Sequence, residues 1–236
     1  GIYDEPLADS SNIPTYLIAR QARQHVKVVL TGDGGDELLG GYTRYTLARR
    51  AARLLALPGR RAVIGGVQRL LSAVRGRGAH PDRLQQLVDW SWRRAERAGA
   101  ANADEWYART MSLSLEPGAL VLGGVEPAGV LPLAKDVLAG GNVIERAMLA
   151  DGLQYLPDDI LTKVDRAAMA VALESRVPML DAEVIALAWR LPFAHKVKGE
   201  VGKAVLRDVL ARYVPPALFD RPKMGFGVPV ARWLAG

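Results

Sequence analysis

The sequence predicts an α/β fold with a parallel sheet and a largely helical C-terminal part, and three observations carry that prediction. Residues 12–24 begin at a cap-like Ser11 or Asn12 and continue with apolar residues at helical spacing, which indicates a helix. Residues 26–31 form an apolar run that predicts a buried strand, and a helix that leads into a strand is half of the crossover in an α/β unit. From Asn142 onward, helical spacing continues between prolines.

The middle of the chain, residues 44–142, predicts short helices with long connections. Glycines and prolines interrupt its helical stretches between Gly59 and Gly78, and again near Gly123 and Gly140. The pattern contains no internal repeat, and it says little about function.

The positive charge of the chain is concentrated in residues 44–97. The formal net charge is +6, and this segment holds thirteen arginines against three acidic residues, so the remainder is slightly acidic. Its arginines alternate with Ala and Leu at helical spacing, which is typical of solvated helix faces. We favour that interpretation over a patch for nucleic acid or for an acidic protein partner.

Composition excludes several kinds of protein and site. Half of the 236 residues are apolar, which is enough for a sizeable core. The sequence contains no cysteine, so disulfides, thiolate metal sites and a cysteine nucleophile are excluded within these residues. It has neither a long uncharged apolar run nor a signal-peptide pattern at its start, and we expect a cytoplasmic protein that does not span a membrane. The three histidines lack the spacing of metal ligands and are expected to be structural; they are His25, His80 and His195.

The loop after the predicted strand is the most informative segment. In residues 32–37, three glycines allow a ligand to approach the backbone closely, while three carboxylates would repel a phosphate. The combination makes sense if a divalent cation lies between them, because Mg²⁺ prefers one or two carboxylates together with phosphate oxygens and water. An ordinary turn is the alternative, since Asp-Gly pairs are common turn formers. The residues concerned are Gly32, Asp33, Gly34, Gly35, Asp36 and Glu37.

Charged residues also recur at helical spacing in residues 158–175. If this segment is one helix, Lys163, Arg166 and Glu174 share a stripe opposite an apolar face that includes Leu161 and Val164. The pattern by itself predicts an amphipathic helix with an exposed ladder of salt bridges.

Three further cations are candidate ligands for an anion. Lys203 lies where a helix carrying Leu206 and Val209 should begin, and a cation there opposes the helix dipole unless a bound anion reverses the sign. Arg221 and Lys223 flank a Gly-Phe-Gly turn, which suits a mobile loop near an anionic substrate and equally suits a surface connection.

Several segments of the chain closely resemble asparagine synthetases of the glutamine-hydrolysing type. The resemblance is strong at both ends of the chain and weak in the middle. The matching strings are LTGDGGDELLGGY (residues 30–42), DEP (4–6), DSS (9–11), LPDDILTKVDR (156–166), LESRVPMLD (173–181), GK (202–203), LR (206–207) and RPKMGFGVP (221–229).

The resemblance implies a fold, a reaction and its cofactors. It implies the parallel sheet of the ATP pyrophosphatases, and a ligase that uses ATP and Mg²⁺ to adenylate the side-chain carboxylate of aspartate. Pyrophosphate is released, and ammonia, derived from glutamine in the full-length enzyme, displaces AMP to give asparagine. It further implies small-molecule substrates and a homodimer in the full-length enzyme.

The resemblance also implies roles for individual residues. Asp36 would hold Mg²⁺ and pyrophosphate, with Asp33 near the reacting centre and Glu37 supporting the loop. Lys203 would neutralise charge on the departing pyrophosphate. A tyrosine and a glutamate at similar positions in β-lactam synthetases help to deprotonate an attacking amine, which makes Tyr42 and Glu174 further candidates.

The resemblance covers residues 1–236 as an internal part of one synthetase domain. The Ser-Gly-Gly-x-Asp-Ser loop for the ATP phosphates, the glutaminase domain and the C-terminal end of the family are not among these residues. We therefore expect these 236 residues alone to be inactive and to bind ATP poorly. Two alternatives stay open: a relative that forms another amide, such as a β-lactam synthetase or a lasso peptide cyclase, and a noncatalytic interaction domain.

Overall fold

The computed structural model describes residues 1–75, 83–112, 114, 121–125, 129–220, 228–230 and 233. The described residues form a mostly helical α/β structure with a small parallel sheet. Two compact units divide the chain: the first joins Gly1–Tyr42 to Met148–Gly236, and the second is Thr43–Ala147. Among the described residues, no helix is both long enough and apolar enough to span a membrane.

The sheet of the first unit has two parallel strands. Strand β1 (Val28–Leu30) pairs with β2 (Glu174–Arg176) in a register that places Val29 beside Ser175. Helix α1 (Asn12–Arg23) and helix α9 (Thr162–Met169) pack against each other. The helix predicted at residues 12–24 and the strand that follows it are therefore confirmed.

The prediction that β1 is buried is wrong for one of its two faces. Val29 packs against a core cluster of Ala19, Ala168 and Leu173. Leu30 is 73% exposed, and Val28 is also exposed. Successive side chains of a strand point to opposite faces of a sheet, and the described helices cover the face that carries Val29.

One long helical run leads into the second strand, and it contains a π-helix. Helix α8 (Val143–Ala150) continues into a π-helical segment (Asp151–Leu161), which continues into α9. Pro157 lies inside the π-helical segment, and a proline removes one backbone donor and crowds the preceding turn. Irregular winding accommodates such a residue within a continuous helix.

The predicted single helix over residues 158–175 is wrong, because α9 ends at Met169. The chain then turns through Ala172, whose φ is 55°, and enters β2. Two interactions favour the strand: Leu173 is buried in the core cluster, and the amide of Glu174 donates to the carbonyl of Lys27 at 2.9 Å. Long-range pairing has overridden the local helical pattern.

The rest of the first unit is built from short helices. A second core cluster joins helix α2 (Gly35–Leu39) to helix α10 (Ala182–Arg190) through Leu38, Leu39 and Ala188. The helical character predicted from Asn142 onward is confirmed over most of residues 142–220. The elements are α2 (Gly35–Leu39), a 3₁₀ turn (Pro178–Leu180), α10 (Ala182–Arg190), α11 (Phe193–Lys196), α12 (Ala204–Leu210) and a 3₁₀ turn (Pro216–Leu218).

The second unit is helical throughout its described elements. Helix α4 (Arg60–Arg75) packs on α5 (Arg83–Ala98), and α3 (Thr43–Leu55) packs on α6 (Ala103–Met111). Helix α4 runs for 16 residues through Gly65 and Gly66, so the expectation that glycines break the helices between Gly59 and Gly78 is wrong there. A glycine costs a helix about 1 kcal/mol, which packing against a neighbouring helix offsets. The elements are α3 (Thr43–Leu55), α4 (Arg60–Arg75), α5 (Arg83–Ala98), α6 (Ala103–Met111) and α7 (Leu131–Val137).

Candidate active site

The glycine-rich loop lies directly at the carboxyl end of β1. The amide of Thr31 extends the sheet pairing by donating to the carbonyl of Arg176 at 2.9 Å. Gly34 then adopts a left-handed conformation with φ of 80° and caps the start of α2. A Cβ on Gly34 would lie 2.4 Å from Cδ2 of Leu180. Both conformation and space therefore require glycine at this position.

Lys203 meets Asp36 of the loop. Its Nζ lies 3.1 Å from Oδ2 of Asp36. The backbone of Lys203 is left-handed, with φ of 56°, and its amide donates to the carbonyl of Leu39 at 2.8 Å. These contacts bring the start of α12 to the end of α2. The structure thus brings together two of the predicted site residues that are 167 positions apart in the sequence.

Two glycines make the approach of Lys203 to Asp36 feasible. A Cβ on Gly41 would lie 2.0 Å from Oδ1 of Asp36 and 2.3 Å from Cε of Lys203. A Cβ on Gly202 would lie 2.0 Å from the carbonyl oxygen of Gly40. Glycine at the first position leaves room for the ion pair, and glycine at the second leaves room for two backbone segments to touch.

Glu37 is buried behind the loop. Its side chain is 2% exposed and accepts a hydrogen bond from the hydroxyl of Tyr42 at 2.8 Å. Burial raises the pKa of Glu37, and the negative charges of Asp36 and Asp151 raise it further, although the hydrogen bond from Tyr42 acts in the opposite direction. A buried carboxylate bonded to a neighbouring tyrosine suits a residue that supports the loop.

Asp33 has an unsatisfied oxygen. Its Oδ2 is buried and has no hydrogen-bond partner among the described residues, although a buried polar atom without a partner is costly. Gly32, beside it, is exposed and has open space around its Cα. A ligand that donates to Asp33 or carries a cation would satisfy that oxygen.

The donor set of the loop fits Mg²⁺ bound together with phosphates. Asp33 and Asp36 provide carboxylate oxygens, which are hard ligands of the kind that Mg²⁺ prefers. In the part of the chain that the structure describes, no group of three or more His, Cys, Asp or Glu side chains could hold a metal ion. Two carboxylates are too few for an all-protein cage and are the usual number for Mg²⁺ that also contacts phosphate oxygens.

Two residues of the π-helical segment reach the same region and were not predicted. Asp151 is buried, and its charge contributes to the raised pKa of Glu37. The ring of Tyr155 meets the ring of Tyr42 edge-on, with centroids 6.0 Å apart. The sequence signals that could have revealed them are an acidic residue within an apolar helical run and a proline shortly after it, since π-helices occur frequently at functional sites.

The structure does not bring Glu174 to Tyr42. Glu174 lies exposed on β2, and its Oε1 pairs with Nε of Arg176 at 2.6 Å. The hydroxyl of Tyr42 donates instead to Glu37. The predicted substrate-loop residues Arg221 and Lys223 lie outside the described residues.

The predicted exposed ladder on α9 is wrong at Lys163. Its side chain is 7% exposed, forms an ion pair with Asp9, and has Oδ1 of Asp159 at 3.9 Å. Ser11 donates to Asp9 from its amide at 2.8 Å and from its hydroxyl at 2.6 Å. Burial opposes ionisation of Asp9, but the hydrogen bonds from Lys163 and Ser11 outweigh it and lower its pKa.

The start of the chain is therefore held along α9. Arg166, one turn after Lys163, pairs with Asp4 at 2.5 Å through an exposed contact. The hydroxyl of Tyr3 reaches the backbone carbonyl of Lys163 at 3.4 Å. Two of the strings that resemble asparagine synthetases, at the start of the chain and at residues 156–166, thus contact each other.

Comparison with known proteins agrees with the family that the motifs indicated. The family model described as asparagine synthase matches residues 1–236. A Mycobacterium bovis protein, provisionally named asparagine synthetase (glutamine-hydrolyzing), is 36% identical over 237 residues, which cover 98% of this chain and 34% of that protein. Asparagine synthetase (glutamine-hydrolyzing) 1 of Bacillus subtilis is 29% identical over 235 residues, covering 98% of this chain and 35% of its own length.

The chain spans about a third of the length of these curated relatives. No solved structure matches it. The family predicted from the motifs is confirmed over the whole chain, including the middle region where the resemblance was weak. The chain belongs to the asparagine synthase family.

Proposed function

We propose that the chain forms part of an ATP-dependent ligase that converts aspartate to asparagine. A carboxylate oxygen of aspartate attacks the α-phosphorus of ATP and pyrophosphate leaves. Ammonia, released from glutamine in the full-length enzyme, then attacks the acyl carbon, AMP leaves and the amide forms. The observation that carries the proposal is the ion pair of Lys203 with Asp36 in the loop that follows β1 and also carries Asp33, since open α/β sheets bind their ligands at the carboxyl ends of their strands.

Each residue of this group has a distinct task in the proposed reaction. Lys203 lies at the start of α12 and stabilises the negative charge of the departing pyrophosphate. Asp36 holds Mg²⁺, which supplies charge neutralisation on the phosphate oxygens when it is bound. Asp33, whose Oδ2 is buried without a hydrogen-bond partner among the described residues, would lie near the reacting centre. Gly32, Gly34 and Gly35 allow the phosphates to approach the backbone.

Glu37 and Tyr42 support the loop from behind. The Tyr42–Glu37 hydrogen bond orients both side chains, and the ring of Tyr155 packs against Tyr42. Positioning of this kind matters because adenylation and amide formation depend on alignment and electrostatic stabilisation. Glu174 stays a candidate for removing a proton from the attacking amine. Its contact with Arg176 does not itself support that role.

The fold and domain assignments extend this proposal. The parallel strands with a ligand loop at the carboxyl end of β1 support a sheet of the ATP pyrophosphatase type. Both compact units are proposed to be parts of a single synthetase domain, consistent with one family model over residues 1–236. A cytoplasmic location and a homodimer belong to the same proposal for the full-length enzyme.

Pyrophosphate release tests the proposed reaction. The assay uses a polypeptide as long as the relatives, with Mg-ATP and ammonia, and compares aspartate with no added carboxylate. We expect release that depends on aspartate and is strongly reduced in Asp36→Asn, since a neutral amide oxygen is a much weaker ligand for Mg²⁺ than a carboxylate. Asp208→Asn, which alters an exposed carboxylate paired with Lys198 at 2.7 Å, is the matched control and should retain activity.

The other outcomes distinguish the alternatives. Release that ignores aspartate would indicate a relative that forms another amide, and absence of release under every condition would indicate a noncatalytic domain. The 236 residues alone are expected to bind Mg-ATP poorly, and micromolar affinity measured by calorimetry would contradict that expectation.

A further inference from the structure

We propose that Lys203 keeps Asp36 from binding a free divalent cation, so that the cation enters the site together with a phosphate-bearing ligand. The inference rests on the proposed function, because it concerns the regulation of the same site. It follows from the ion pair between Nζ of Lys203 and Oδ2 of Asp36, 3.1 Å apart.

The ammonium of Lys203 lies at hydrogen-bond distance from the carboxylate of Asp36, which would also hold Mg²⁺. A cation that approaches Asp36 alone must separate this pair or share the carboxylate with a positive charge already beside it. Both routes weaken the binding of a bare cation. A cation that arrives with pyrophosphate meets no such opposition, because the phosphate oxygens attract Lys203 away from Asp36.

The backbone around Lys203 keeps its side chain in reach of Asp36 and of the region proposed to bind pyrophosphate. Its left-handed conformation is uncommon for a residue other than glycine, and its amide is bonded to the carbonyl of Leu39. Strained backbone of this kind persists where the surrounding structure determines it. A Cβ on Gly35 would lie 3.6 Å from Nζ of Lys203, so the tip of the lysine is also close to the loop backbone.

The partial exposure of the pair makes the exchange feasible. The side chains of Lys203 and Asp36 are 28% and 19% exposed. An ion pair that water reaches is weak, and separating it costs little compared with separating a buried pair. The pair is therefore strong enough to disfavour a bare cation and weak enough to yield to pyrophosphate.

The test measures binding of two probes to the full-length protein without turnover. The first probe is Mn²⁺ alone. Its binding is measured as the loss of the electron paramagnetic resonance signal of free Mn²⁺. The second is radiolabelled pyrophosphate with Mn²⁺ in excess, followed by equilibrium dialysis. Lys203→Met should bind Mn²⁺ alone about two- to five-fold more tightly, as expected for the loss of a partly exposed ion pair. It should bind pyrophosphate roughly ten-fold more weakly, because a charged hydrogen bond is lost.

Four variants accompany Lys203→Met, and one of them, Asp36→Asn, removes the charge of the proposed metal ligand. Lys203→Gln is measured beside it, so that the test stands if the methionine variant does not fold. Lys203→Arg keeps the positive charge and should keep the weak Mn²⁺ binding of the wild type. Lys198→Met removes an exposed cation that pairs with Asp208, and it should change neither measurement.

The outcomes separate this inference from the proposed function. The Met and Gln variants of Lys203 can bind pyrophosphate more weakly while their affinity for Mn²⁺ alone is unchanged or lower. In that case the inference that Lys203 keeps Asp36 from binding a free cation is wrong, and the proposed pyrophosphate site stands. If Asp36→Asn binds both probes like the wild type, Asp36 is not the metal ligand and the proposed site fails together with the inference.

Discussion

Two lysine–carboxylate pairs of the first unit differ in their surroundings. Lys163 is 7% exposed, and its partner Asp9 also accepts two hydrogen bonds from Ser11. Lys203 is 28% exposed and lies beside the glycine-rich loop, whereas the two carboxylates differ in the other direction, with Asp36 at 19% and Asp9 at 28%. The sequence presents both lysines in helical segments within strings that resemble the same family, and the structure buries the ammonium of Lys163 more deeply than that of Lys203.

Burial of the ammonium separates an ion pair that holds the fold from one that can change partners. Removing one member of a buried pair leaves an uncompensated charge away from water, which is strongly destabilising. A pair that water reaches loses little when it opens, because water and ions replace the missing partner. The Asp9–Lys163 pair, in which the ammonium is buried, therefore suits a permanent contact, and the Asp36–Lys203 pair, in which water reaches the ammonium, suits a ligand site.

The largest effect is expected for Asp9→Ala. It leaves the buried ammonium of Lys163 without the carboxylate that contacts it, with Asp159 at 3.9 Å as a more distant partner. The free energy of unfolding should fall by about 3 kcal/mol, measured by urea denaturation at neutral pH. A loss below about 1 kcal/mol would show that the buried pair behaves like a surface pair.

Asp4→Ala is the matched control for that change. It removes the exposed partner of Arg166 on the same helix. Because both side chains are solvated, the loss should stay below about 1 kcal/mol, and added salt should diminish it.

An intermediate effect is expected for two glycines beside the Asp36–Lys203 pair. In Gly202→Ala the new methyl group would meet the backbone of Gly40 at 2.0 Å, so the contact between α12 and α2 must shift. We expect a loss of about 1–3 kcal/mol in unfolding free energy, as for overpacking. In Gly41→Ala the new methyl group would meet side-chain atoms of Asp36 and Lys203, which can rotate away.

The glycine variants therefore separate stability from ligand binding. Gly41→Ala should lose less than about 1 kcal/mol of stability, yet it should bind pyrophosphate poorly, because the two site residues are displaced. Denaturation and equilibrium dialysis measure the two properties. Equal losses of stability in both variants would contradict the assignment of the Gly41 contact to flexible side chains.

The smallest effect concerns the pH dependence of stability at Glu37. Its pKa in the folded protein is raised above the ordinary value of 4.5, chiefly by burial. The folded protein binds this proton more tightly than the unfolded chain does, so the unfolding free energy falls as pH rises above 4.5. Glu37→Gln removes this titration and keeps an acceptor for Tyr42. Its stability relative to the wild type should therefore increase with pH above 4.5, in denaturation curves at several pH values.

Glu105→Gln provides a control of opposite sign. The pKa of Glu105 is lowered, first by a hydrogen bond from the amide of Ala101, with Arg109 acting in the same direction. Its stabilising contribution is present above 4.5 and is lost as pH falls through the lowered value. The variant should thus be less stable than the wild type at neutral pH. Parallel pH profiles for the two variants would contradict the environment assigned to Glu37.

Local patterns in the sequence predicted a good part of the fold and the loop. The helix at residues 12–24, the strand after it and the helical C-terminal part follow from periodicity and punctuation by glycine and proline. The glycines and carboxylates of residues 32–37 and the position of Lys203 at a helix start are equally local. Such features depend on residues within a few positions of each other, and for this reason a single sequence expresses them.

Long-range contacts decided the features that the sequence misjudged. Residues 174–176 form a strand because Leu173 enters a core and Lys27 offers a hydrogen-bond acceptor. Lys163 is buried because the start of the chain lies along α9, and periodicity places a residue on a face without revealing what covers that face. Asp151 and Tyr155 reach the loop through a π-helical segment that no regular helical pattern predicts.

By itself, the sequence determined the family, the first helix and the strand after it, and the glycines and carboxylates of the loop. Tertiary structure alone decided that Lys203 lies 3.1 Å from Asp36 while Lys163 is buried in its contact with Asp9. The physical reason is that the energy of a charge depends on its exposure to water and on the partners that the fold brings to it. Residue type and spacing specify neither.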